Sequence, residues 1–144
     1  MRIQTLNHST YQHQYHIVWG TKLKRPFLTD YVKPVLLKSF NQTIEKYPIL
    51  HLEIMNVDKD HVHIQIEIPP SVTVSSAVQK LKQRSSIDLQ RRFKFIGEMY
   101  LEGDGIWSVG YFSSTVGLNE KTIRKYIDDQ GRRELPSQAG FEFS

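Results

Sequence analysis

At 144 residues, with 39% hydrophobic and 24% charged side chains, the chain suits one domain with one sizeable core, and no apolar run approaches the roughly 20 residues that span a bilayer. The net charge of +4 permits an anionic partner, while the absence of cysteine excludes disulfides, thiolate catalysis and Cys-based zinc sites, so any metal must be held by histidine, carboxylate, amide or water. The opening MRIQTLNHSTYQHQ lacks the apolar stretch of a secretory signal, and a soluble cytoplasmic protein is expected.

Tyr15 to Trp19 has the aromatic and β-branched content of a strand, closed by Gly20 and followed by a basic loop, Lys22 to Arg25, before Pro26. Asp30 can cap a helix whose apolar positions Val35, Leu36, Phe40, Ile44 and Tyr47 recur every three to four residues, with Pro34 tolerated in the opening turn and Pro48 as the stop. Leu50, Leu52 and Ile54 alternate as a strand. A turn at Asp58-Lys59-Asp60 then leads into His61 to Ile68, so the two strands form an antiparallel hairpin. After Pro69-Pro70, Ser71 opens a helical stretch to about Arg91, lined on one side by Val74, Ala77, Val78 and Leu81. Phe93 to Tyr100 has room for a short strand before a Gly103-Asp104-Gly105 turn, and Ile106 to Phe112 reads as the last strand. Ser113 to Gly117 is a loop. Asn119 caps a final helix carrying Ile123, Tyr126, Ile127 and Gln130, with Gly131 as its stop, and residues 132–144 form a tail.

Strand, helix, hairpin, helix, strand is the split βαβ order, which predicts an α+β, ferredoxin-like (RRM-like) antiparallel sheet with helices on one face. The final helix is then an appendage. A core over about 11–112, this helix over about 118–131 and the tail make up the expected single domain.

The chemistry concentrates in HVHIQIEI, residues 61–68, whose two-residue alternation puts Val62, Ile64, Ile66 and Ile68 on one face and His61, His63, Gln65 and Glu67 on the other. This reads as a half-buried strand. Same-face neighbours lie roughly 6 to 7 Å apart at their bases, so two imidazoles can converge on one divalent cation. Alone, such a pair on an exposed strand face is more often only polar surface. Gln130 can supply an amide oxygen as a third ligand, leaving room for a phosphate oxygen and water. Tyr126 shares a helix face with Thr122 and Gln130, and is the candidate nucleophile. His8, His13, His16 and His51 have no partner spacing, and they and Asp128 default to structural or surface roles. Asp129 is a possible substitute for Gln130.

Basic residues are unevenly spread. Lys80, Lys82, Arg84, Arg91, Arg92 and Lys94 face a single acid, Asp88, and Lys22, Lys24 and Arg25 form a second group. A further group is Lys121, Arg124 and Lys125 with Arg132 and Arg133. Each fits a solvated helix surface, and together they suit a phosphate backbone.

YHIVWGTKLKRPFL near the start, HVHI in the middle, IWSVGYFSSTVG and TIRKYIDDQ, spread over about residues 11–131, together resemble the single-tyrosine HUH transposases of the insertion-sequence two-hundred / six-hundred-and-five group. The resemblance implies that His61 and His63 are the metal-binding pair, Gln130 the third ligand and Tyr126 the nucleophile. It implies a small homodimer that cuts and rejoins single-stranded DNA at hairpin-marked element ends through a 5′-phosphotyrosine, using Mg²⁺ or Mn²⁺ and no nucleotide cofactor. In that family the tyrosine helix of one subunit completes the histidine site of the other. Lys22, Lys24 and Arg25, followed by Arg84, Arg91 and Arg92, are the DNA-binding residues expected here. Two rivals stand beside this reading: a domesticated relative that processes repeated palindromes, and a non-catalytic nucleic-acid-binding module, which a ferredoxin-like sheet also builds. A zinc deaminase would need a Cys-x-x-Cys and is excluded.

Overall fold

The computed structural model describes residues 14–100 and 105–134, together with the strands β1 (Gln4–Leu6) and β2 (Ser9–Tyr11), which pair antiparallel. His8, His13, residues 101–104 of the expected glycine turn and residues 135–144 of the expected tail lie outside the described residues. No described helix is long and apolar enough to cross a membrane.

The main sheet has four strands in the order β4-β5-β3-β6, all antiparallel: β3 (Gln14–Gly20), β4 (His51–Asp58), β5 (His61–Glu67) and β6 (Phe112–Ser114). Helix α1 (Lys33–Lys46) connects β3 to β4, and α2 (Val74–Arg92) with the short α3 (Lys94–Gly97) lies between β5 and β6. This is the expected ferredoxin-like arrangement. Its first face carries Ile17 and Trp19 from β3 and Val62, Ile64 and Ile66 from β5. These pack with Leu36 and Phe40 of α1 and Ala77, Val78, Leu81 and Leu89 of α2 in one buried cluster. Trp19 is fully buried and meets Phe40 and Trp107 edge-on, with ring centres 5.9 Å apart in both pairs.

Several local expectations shift, each for a visible reason. Helix α1 starts at Lys33 rather than behind Asp30, because the Val32 and Lys33 amides both donate to the Thr29 carbonyl at 2.9 Å in a turn of their own. Helix α2 is capped by Thr73, whose Oγ1 accepts from the Ser76 amide at 3.0 Å, two residues after Ser71. Phe93 to Tyr100 is not a strand. The Phe93 carbonyl accepts from Ile96 and Gly97, and Ile96 is buried, so the segment closes into α3. Ile106 to Phe112 is strand-like only at its ends. Trp107 makes a lone bridge with Thr21, the Lys82 ammonium takes the carbonyls of Ser108 and Gly110 at 2.8 and 2.6 Å, and Gly110 sits at φ +88, so regular pairing resumes only at Phe112.

The largest difference concerns the second sheet face. Helix α4 (Glu120–Glu134) lies against it, with Ile123 and Ile127 buried over Val18, so β5 is covered on both sides rather than half-buried. Asn119 caps it as expected, its Oδ1 accepting from the Thr122 amide at 2.8 Å. Gly131 is not a stop but lies inside the helix, where an added Cβ would come within 2.8 Å of the Lys24 side chain. The glycine serves close approach, and α4 runs on through Arg132 and Arg133.

Candidate active site

The second face is polar along β5 and its neighbours. Register places His63 opposite Val18 of β3, and Val18 in turn opposite Phe112 of β6; His61 lies opposite Gly20, and Gln65 opposite His16. On β4 the register slips between Ile54 and Asn56, and this bulge brings Asn56 opposite His63 and Asp58 opposite His61. Both histidines therefore project beneath α4, and both are buried, His61 to 1% exposure and His63 to 8%.

The two imidazoles have different partners. His61 Nδ1 lies 2.8 Å from Asp60 Oδ1. Burial alone would raise the Asp60 carboxyl, but hydrogen bonds from His61 and Arg124 outweigh it and hold the group down at about 2. Asp60 is thus ionised near neutral pH, so Nδ1 must carry the proton that it donates. In the neutral imidazole the Nε2 lone pair is then bare, and that atom is buried without a hydrogen-bond partner among the described residues. This is the tautomer a metal ligand requires, with a carboxylate behind it. His63 Nε2 faces His16 Nδ1 at 3.3 Å, and burial, followed by the neighbouring His16, lowers its pKa. His63 is therefore held neutral, with a lone pair to offer.

Asp58, Asp60 and His16 are site residues that the sequence reading passed over. Asp60 had an available signal, adjacency to His61. His16 joins His63 only through the β3–β5 register. Ligand atoms of Asp58, Asp60 and His61 also lie within 4.8 Å of one another, a donor set with the oxygen and nitrogen chemistry a divalent cation accepts. Here the Arg124 guanidinium sits against it, with Nη1 3.0 Å from Asp60 and Nη2 3.8 Å from Asp58.

Tyr126 and Gln130 are on α4 as expected, and Tyr126 packs against the cluster of Val18, the β3 residue opposite His63. The Tyr126 ring stacks on Phe112, centres 5.7 Å apart and planes at 21°. Phe112 belongs to β6, two strand spacings or about 10 Å from β5. Burial raises the Tyr126 pKa, only partly offset by Arg133. Gln130 donates from Nε2 to the Val109 carbonyl at 2.8 Å and accepts from Arg133 at 3.3 Å, so both ends of its amide are engaged. Asp129 pairs with Lys125 and Arg132, at 3.2 and 2.5 Å. His51 lies at the start of β4, opposite Glu67.

The expected DNA-binding cations divide into two groups. Lys24 pairs with Asp128 at 2.6 Å, Arg84 with Asp88 at 2.9 Å, and Arg25 donates to the Met99 carbonyl and covers the Tyr100 ring at 5.1 Å. Lys22 lies 5.9 Å from the same ring. Arg91 and Arg92 are exposed and have no carboxylate partner among the described residues. The basic loop itself is fastened to α4. Leu23 and Lys24 have positive φ of 60 and 58, and the Leu23 amide donates to Glu134 Oε1 at 2.6 Å.

An antiparallel α+β sheet whose third strand presents a buried histidine pair under a tyrosine-bearing helix defines the class, and solved structures share the fold. A protein from Deinococcus radiodurans assigned as a transposase aligns with a TM-score of 0.74 at 24% identity, over 88% of this chain and 97% of that one. A REP-associated tyrosine transposase bound to a REP hairpin aligns with a TM-score of 0.54 at 14% identity, over 87% and 68%. Residues 9–130 match the family model described as transposase IS200 like, and the chain belongs to this family of transposases. Among its relatives are the transposase for insertion sequence element IS200 of Salmonella typhimurium, 31% identical over 88% of this chain and 82% of the relative, and the ISDra2 transposase TnpA of Deinococcus radiodurans, 30% identical over 86% and 88%.

Proposed function

We propose that this transposase cuts and rejoins single-stranded DNA at hairpin-marked element ends, with Tyr126 as nucleophile and His61 and His63 as the metal-binding pair. The observation that carries this reading is the bare, buried Nε2 of His61, with Asp60 fixing the tautomer from behind. Family membership supplies the reaction class, and a fold relative that holds a REP hairpin supports a hairpin substrate.

His61, His63 and, after movement of α4, Gln130 would hold Mg²⁺ or Mn²⁺, which supplies Lewis-acid polarisation of a phosphate oxygen. No nucleotide cofactor is needed. The Tyr126 oxygen gives up its proton to solvent and bonds to phosphorus. The bond from phosphorus to the 3′-oxygen breaks, and that oxygen takes up a proton, leaving a 5′-phosphotyrosine and a free 3′-hydroxyl. Attack by a 3′-hydroxyl on the same phosphorus reverses the exchange. The bond energy is conserved, so no ATP is consumed.

The Tyr126 ring is stacked on Phe112 and packed beside Val18, with burial disfavouring the phenolate, so reaction calls for α4 to free the phenol from this packing. We assign it to the histidine pair of a second copy, making a homodimer with composite sites. Residues of both copies then meet at one phosphate.

A denaturing gel of purified protein incubated with Mg²⁺ or Mn²⁺ and a hairpin-bearing single strand tests this directly. Wild type should give a covalent adduct and Tyr126→Phe none. An adduct formed by that variant would overturn the nucleophile assignment. His61→Ala should lose the adduct and keep hairpin binding, and mixing it with Tyr126→Phe should restore one working site in a composite dimer. Hairpin binding without any adduct in wild type would favour the non-catalytic module.

A further inference from the structure

We infer a second DNA-contacting surface, a stacking platform for unpaired bases built by Tyr31, Phe93 and Phe95 at the junction of α1 and α2. It rests on the single-strand reading above and extends it to a part of the molecule outside the histidine face.

Tyr31 is 68% exposed and Phe95 48%, although both are large aromatic side chains that a folded chain ordinarily tucks away. They flank the buried Phe93, with ring centres 5.3 and 5.9 Å from it and planes at 63° and 60°. The three rings form one contiguous ladder. The middle ring is anchored in the core, and the outer two keep large areas open to solvent beside it. Arg92 extends over the Phe93 ring at 5.1 Å, and Arg91 and Lys94 are its exposed neighbours.

Charge identifies the occupant. Most of the basic groups around α4 are spent on carboxylates, as Lys24, Arg124, Lys125 and Arg132 illustrate. At the ladder, Lys94 has Glu98 at 3.8 Å and Lys33 has Asp30 at 3.6 Å, but Arg91 and Arg92 have no acid among the described residues. Exposed rings beside unneutralised guanidiniums match what an unpaired nucleic acid strand offers, a π-face on each base and a phosphate between bases. A buried-type protein partner would be met by the rings but repelled by nothing and attracted by nothing at Arg91 and Arg92 unless it were acidic. The platform also lies at the histidine end of the sheet. The Leu28 amide, three residues before Tyr31, donates to the Lys59 carbonyl in the turn that leads to His61.

Fluorescence anisotropy with a thymine-only single strand, and with an abasic strand of equal length, tests the platform on the full chain. Tyr31→Ala with Phe95→Ala should weaken thymine-strand binding about 5- to 150-fold for each stacked base lost. The abasic strand should bind wild type and variant alike. Tyr31→Phe with Phe95→Tyr should restore binding, which a mere folding defect would not. Arg91→Ala with Arg92→Ala should reduce the salt dependence by roughly 0.7 per phosphate contact. The aromatic variant should still form the Tyr126 adduct at saturating DNA, while Tyr126→Phe should keep full thymine-strand binding, so the two proposals fail separately. Unchanged thymine-strand affinity in the aromatic variant overturns the platform. So does an aromatic variant that changes from dimer to monomer in sedimentation, which would make the ladder an interface between copies.

Discussion

The two faces of the sheet are covered by helices, but they are held in different ways. On the first, α1 and α2 bury a continuous apolar cluster around Trp19 and Phe40. On the second, α4 buries only Ile123 and Ile127 over Val18, with Tyr126 half-buried beside them on Phe112, and many of its ties are polar: Arg124 to Asp60, Lys24 to Asp128, Gln130 to the Val109 carbonyl and Glu134 to the Leu23 amide. Apolar burial of the first kind is lost only by unfolding, whereas solvent-screened ion pairs exchange readily with water or with another partner. The first face accounts for the fold. The second keeps a helix close to the histidines without committing it, as the proposed attack of Tyr126 on a phosphate requires.

The largest expected effect tests the first face. Trp19→Ala removes a fully buried indole from the centre of the cluster and should cost about 3 to 5 kcal/mol in urea unfolding. A loss below about 1.5 kcal/mol would mean that the cluster collapses to fill the gap, and that the two faces differ less than their packing indicates.

A smaller effect, confined to acid, belongs to the second face. The Asp60 carboxyl is held at about 2, below the unfolded value near 3.9, so its contribution to stability is complete above pH 4 and is lost as pH falls from about 4 to 2. The shift corresponds to about 2 kcal/mol. Asp60→Asn should flatten that part of the acid limb in a pH series of unfolding midpoints. A residual slope is expected from Asp128 and Asp129, which their lysine and arginine partners also hold down. If the acid limb is as steep in Asp60→Asn as in wild type, the ion pair with Arg124 does not fasten α4.

Much of this contrast was legible in the residues. The period-two run of His61 to Ile68 identified both faces of β5, and the order of elements identified the sheet. What remained hidden depended on contacts between distant segments. Nothing local to Val18 marks it as the seat of α4, because one valine among alternating residues reads the same whether water or a helix lies above it. His16 acquires its meaning only from lying diagonal to His63 on the same sheet face, two positions along the register. The β4 bulge left only a faint trace: the core-packed Leu50, Leu52 and Ile54 step by two and the next core-packed residue, Val57, comes after three, but the exposed Met55 between them blurs the pattern. That slip is what turns Asp58 toward His61. Gly131 misled for a related reason. A glycine near a helix end has the same local signature whether it terminates the helix or makes room for a neighbour.

Gly131→Ala therefore gives the smallest and most discriminating change. Within α4, alanine should gain about 1 kcal/mol of helix propensity over glycine. Against this, the new methyl meets Lys24 Cδ at 2.8 Å and its Cβ at 3.2 Å, so the lysine must swing away from Asp128 and the basic loop must give slightly. The two effects nearly cancel, and the global unfolding free energy should stay within about 0.5 kcal/mol of wild type. Hydrogen exchange should show what the global value conceals. Amides inside α4 should keep their protection relative to one another, while the Leu23 amide, which depends on docking through Glu134, should exchange faster. A global loss approaching that of Trp19→Ala would instead make α4 part of the core, leaving no loosely held helix to bring Tyr126 to a phosphate.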